Sequence, residues 1–182
     1  MTIATFVTGA LLLILGSGVF ALHNEAARQK ALKALRNRAA DGILMLVAAA
    51  WFLWIVSNLG EADFGDYKVP LFVAFAGISL GAWFYVKDFL GVRAVSVLWL
   101  LVSWHLLGAA FGHYEAPARL FAVGALYAGV VLSLFFGTLP YRARDLAEWL
   151  CAHGTVAKIA GTAIALYGAW LCMVPYLFYP AK

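Results

Sequence analysis

Charged residues are scarce in this chain, 12% of 182 positions, while hydrophobic residues fill 65%. A domain that folds in water carries about a quarter of its residues charged, so a soluble domain is excluded and the solvent is a bilayer. Cysteine is nearly missing too, with only Cys151 and Cys172. A continuous helix would hold those two ~30 Å apart, beyond the ~7 Å between Cα atoms that a disulfide spans. With no CxxC or HxxxH companion they point to no metal site. Acids inside the apolar stretches are absent as well, since every Asp and Glu falls in a loop or at a stretch boundary. A cation-coupled or proton-coupled carrier needs a carboxylate there. Nor does one side of the bilayer assemble a Ser/His/Asp set, a glycine-rich phosphate loop, an HExxH pair or paired carboxylates, so no enzyme is expected.

What is present is apolar length. A span of about 20 residues crosses a hydrocarbon core of ~30 Å at 1.5 Å per residue, and six such spans are legible, at 3–23, 42–58, 69–86, 89–112, 118–139 and 155–178. The expected fold is all-α: a polytopic integral membrane protein, one transmembrane domain of six helices in three parallel-oriented hairpins. Segment 24–41 reads as a basic connector with helix-forming residues, and 141–153 as a short interfacial helix opened by Pro140 and anchored by Trp149.

The net charge of +4 would suggest nucleic acid in a soluble protein. Here its placement matters more, and no nucleic-acid partner is expected. Arg28, Lys30, Lys33, Arg36, Arg38, Lys87, Arg93, Arg142, Arg144 and Lys158 share one side, which takes ten of the thirteen basic residues. The positive-inside rule makes that side cytoplasmic and puts both termini outside a cell membrane. The first span, with no cation before it and several after, is expected to be a retained helix rather than a signal peptide. Arg28, Lys30, Lys33, Arg36 and Arg38 are candidates for anionic lipid headgroups, although the positive-inside rule alone accounts for them. The triplets Lys87-Asp88-Phe89 and Arg144-Asp145-Leu146 open the returning arms of two hairpins, so any internal repeat is parallel rather than inverted.

Few residues inside the spans carry chemistry. His105 lies about two-thirds along the fourth span. Either it is a neutral histidine bonded to a carbonyl or hydroxyl of a neighbouring helix, or it is an axial ligand for haem or another tetrapyrrole. No second histidine sits at matching depth, so bis-histidine haem is disfavoured and no cofactor is expected. Trp51 and Trp99 lie near mid-span, where an interfacial belt does not explain them; core packing is the simpler account, and a groove for a hydrophobic ligand is the alternative. Ser96 and Ser103 share a face roughly opposite His105. With Tyr127, Ser133, Thr162 and Tyr167 they are the candidates for lining a path through a small oligomeric channel or carrier. Glu61, Asp63 and Asp66 crowd one outer loop, where solvation accounts for them better than a bound cation.

The strongest pattern is of small residues. Gly154, Ala157, Gly161, Ala165, Gly168 and Cys172 form a ridge along the last span, Gly77 and Gly81 a pair on the third, and Gly124 and Ala128 a pair on the fifth. In lipid such ridges let helix backbones approach closely. The function expected is a non-catalytic membrane subunit or scaffold, with bilayer lipids, itself or other membrane proteins as partners. Pro175 is expected to bend or end the last span.

Overall fold

The computed structural model describes residues 2–34, 37–60, 63–85, 90–113 and 116–178. Among them lie eight α-helices: α1 (Thr2–Ala21), α2 (Glu25–Ala34), α3 (Arg38–Ser57), α4 (Lys68–Tyr85), α5 (Leu90–Ala110), α6 (Arg119–Thr138), α7 (Pro140–Ala152) and α8 (Gly154–Phe178). No strand occurs among the described residues. Six helices, α1, α3, α4, α5, α6 and α8, are long and apolar enough to cross a membrane, and they fall within a few residues of the expected spans. The chain is a multi-pass, all-α membrane protein. Large apolar side chains such as Ile14, Trp54, Phe84 and Ile159 point outward, the arrangement that suits hydrocarbon rather than water.

Local chemistry sets the helix ends. Asn37 caps α3, its side-chain oxygen accepting from the amides of Ala39 at 3.1 Å and Ala40 at 3.4 Å, and Asp41 adds a negative charge in the first turn. Pro140 occupies the first turn of α7, where its missing amide proton costs nothing. Arg119, opening α6, donates to the carbonyl of Ala110 at 2.9 Å and so ties that helix to the C-terminus of α5.

The packing pairs differ from the hairpins expected through the basic-side turns. The most extensive interface joins α1 to α8, followed by α5 with α6, then α3 with α5 and α4. Helix α3 stands between α4 and α5: Trp83 of α4 covers Gly42, and the Asp41 carboxylate lies against Gly91 of α5. The α3/α4 and α5/α6 pairs are joined by loops at the opposite end. Two of the three basic connectors contain helices of their own, α2 between α1 and α3 and α7 between α6 and α8. Helix α1 touches α5 and α6 as well. Its Thr5 and Thr8 are fully buried, with the Thr8 hydroxyl donating to the Ala4 carbonyl at 2.8 Å.

An apolar cluster of Ala118, Ala122, Leu171 and Val174, with Leu12, Ala125 and Trp170 around it, joins α6, α8 and α1. Pro175 is buried, and α8 runs through it to Phe178. The helix does not stop there because proline forfeits a single backbone bond, in the final turn, while its ring packs inside.

Candidate functional site

Histidine 105 faces outward from α5. Its Nδ1 donates to the carbonyl of Leu101, 2.9 Å away and one turn back on its own helix. A carbonyl only accepts, so Nδ1 carries a proton in this contact. The ring leans on Trp51 of α3, centroids 5.6 Å apart and planes tilted by 39°. The acceptor therefore belongs to the same helix, where a neighbouring helix was expected. Trp99 is on another side of α5, pressed onto Gly129 of α6, and its buried indole N–H has no hydrogen-bond partner. His105 and Trp51 meet, and Trp99 stands apart from both. Among the described residues no group of three or more His, Cys, Asp or Glu could hold a metal ion. Asp63 and Asp66 are exposed, and Glu61 lies outside the described residues.

The small residues divide sharply. A Cβ on Gly161 would fall 2.8 Å from the carbonyl oxygen of Gly16, and one on Gly168 would fall 2.7 Å from that of Gly9. A Cβ on Gly16 would sit 2.8 Å from the Cα of Ala165. Helices α1 and α8 thus run antiparallel with their backbones touching, and only hydrogen at Cα fits. The nearest atoms include carbonyl oxygens, the setting in which Cα–H···O contacts recur between helices. Cys172 belongs to the same seam, its thiol 3.8 Å from the Phe6 carbonyl. A Cβ on Gly77, Gly81 or Gly124, by contrast, meets nothing within 4 Å, and Ala128 is exposed.

The six path candidates do not line one path. Tyr127 is exposed, the Thr162 hydroxyl donates to Lys158 of its own helix at 2.8 Å, and the Tyr167 hydroxyl donates to the Phe121 carbonyl of α6 at 2.9 Å. Ser103 is buried with its Oγ unpartnered. Ser96 and Ser133 do come together, in a groove of about 340 Å³ between α3, α4, α5 and α6 that Arg93, Leu100 and Gly137 also line. No protein-family model matches this chain, and no curated protein or solved structure matches it either.

Of the basic connector, Arg28 donates to the carbonyl of Cys151 at 2.9 Å, latching α2 onto the end of α7. Lys30, Lys33 and Arg38 are exposed; Arg36, like Lys87, Asp88 and Phe89, lies outside the described residues. Two features escaped the sequence reading. One is the α1 half of the glycine seam: Gly9 and Gly16 are seven residues apart, two helical turns, which puts them on one face without making the four-residue step that draws attention. The other is Arg93. It shares a face with Ser96 and Ser103, and its Nε is buried without a hydrogen-bond partner, which an arginine one turn inside a span reveals only once its neighbours are known.

Proposed function

We infer that this protein is a non-catalytic integral-membrane subunit that associates laterally, through α4 and α6, with transmembrane helices of its own kind or of other membrane proteins. The supporting observation is the contrast between used and unused small-residue faces. Gly161, Ala165 and Gly168 are occupied by α1, whereas Gly77 and Gly81 stand open on α4, a helix with no buried residue that leans mainly on α3. An open face of this kind admits a further backbone at close range, where dispersion supplies the gain. The side holding α2 and α7 is taken as cytoplasmic, with both termini outside a cell membrane, because ten of the thirteen Lys and Arg residues lie there.

The experiment is purification in mild detergent, with the mass of the particle measured and whatever co-purifies identified, for the wild type and for Gly77→Leu. A particle heavier than one chain that reverts to a single chain in Gly77→Leu agrees with the reading. A single chain in both, or an assembly indifferent to the substitution, contradicts it.

A further inference from the structure

The groove beside Arg93 stands on observations separate from lateral association. The Nε of Arg93 is buried without a partner, and no ion pair to its guanidinium occurs among the described residues. Asp41, whose carboxylate abuts Gly91 of α5, makes no ion pair with Arg93. A guanidinium carries five donors and stays charged, and leaving it unpaired within a span costs several kcal/mol. Snorkelling does not relieve the Nε, since that atom is covered.

The groove next to it is open on one side, and its volume of about 340 Å³ falls within the range of ligand clefts. Its walls are mainly apolar, with Val97, Leu100 and Leu134 among them, and two buried hydroxyls, Ser96 and Ser133, line it. No hydrogen-bond partner of either hydroxyl occurs among the described residues. Thr138, also in the lining, is already committed to the carbonyls of Leu134 and Phe135 at 2.9 and 3.0 Å. Arg93 comes one turn after the start of α5 at Leu90, roughly 5 Å along the axis at 1.5 Å per residue, and so close to one end of the span. Exposed cations of α2 and α7, including Lys30, Lys33 and Arg142, lie at the same end.

We propose that this groove seats an anionic phospholipid of the surrounding bilayer, its phosphate on Arg93 with Ser96 and Ser133 donating, and the first methylenes of an acyl chain along Val97, Leu100 and Leu134. Charge complementarity selects the occupant: an unpaired cation and two free hydroxyl donors match an oxyanion, and apolar walls open to the side match a chain already in the membrane. The phosphate takes its charge-assisted bonds from the terminal nitrogens of the guanidinium, the Nε being covered.

Native mass spectrometry of the full chain tests this, released from detergent micelles that contain dioleoylphosphatidylglycerol. Separate arms replace that lipid with dioleoylphosphatidylcholine, sodium oleate or inorganic phosphate. One phosphatidylglycerol is expected to bind saturably, and Arg93→Gln should weaken it about tenfold, the scale of one charge-assisted hydrogen bond. Arg93→Lys should fall between the two. Gly137→Leu, which fills the groove from α6, should weaken binding comparably; a Cβ there makes only an ordinary contact with Ser96 at 3.5 Å, so this variant decides the matter should Arg93→Gln fail to fold. The exposed pair Lys30→Gln/Lys33→Gln should bind as the wild type does. The proposal is overturned if phosphatidylcholine or oleate binds as tightly as phosphatidylglycerol, or if inorganic phosphate alone does. It is equally overturned if the Gly137→Leu variant binds unimpaired, or if the loss follows Lys30 and Lys33 instead.

Discussion

Helices α4 and α8 carry the same kind of motif and use it in opposite ways. On α8, Gly161 and Gly168 touch the α1 backbone so closely that a methyl group would collide with main-chain atoms; on α4, Gly77 and Gly81 face open space. Glycine spacing along a membrane helix states that a close approach is permitted. It does not state whether the partner lies in the same chain. What separates the two helices is their setting. Helix α8 follows α7, whose end Arg28 of α2 grips, so the ends of α1 and α8 are brought together. Helix α4 rests at the edge, against α3.

This difference is breakable at graded strength. The largest effect is expected for Gly161→Leu: the new side chain would meet backbone rather than a movable side chain, at a cost of about 3 kcal/mol or more, seen as a fall in unfolding midpoint in detergent. Arg28→Gln removes the charge from the latch between α2 and α7 and should cost about 1 kcal/mol, with faster proteolysis of the 22–37 segment than in wild type. Tyr167→Phe deletes the hydroxyl bond from α8 to α6, and hydrogen bonds between membrane helices average roughly 0.6 kcal/mol, a loss measurable by chemical unfolding. Were Tyr167→Phe to exceed Gly161→Leu, α8 would be held by polar contacts and not by its glycine seam.

Much of the scaffold was legible in the sequence. Apolar length gave the spans, because the hydrocarbon thickness fixes helix length before any packing is considered. Pro140 marked the start of α7, and the α8 ridge was visible from its three- and four-residue steps. Neighbours were not legible. Periodicity shows which residues share a face and says nothing of what the face meets, so Gly161 and Gly77 read alike. For the same reason the packing partners, α1 with α8, α5 with α6, and α3 with α5 and α4, could not be read from the order of the spans. His105 stood out as the sole histidine deep within a span, yet its hydrogen bond goes to its own helix, a partner available to a histidine on any helix. Arg93 drew less notice, since an arginine near a span end ordinarily reaches water. Its buried nitrogen becomes apparent only when α3, α4 and α6 are in place.

The most direct test sets Gly161→Leu beside Gly77→Leu and measures the unfolding free energy of each against the wild type under conditions where the chain is monomeric. The same change of side chain should cost about 3 kcal/mol or more on α8 and less than about 0.5 kcal/mol on α4. Equal losses at the two positions would contradict the assignment of one glycine face to the interior of the bundle and the other to its surface.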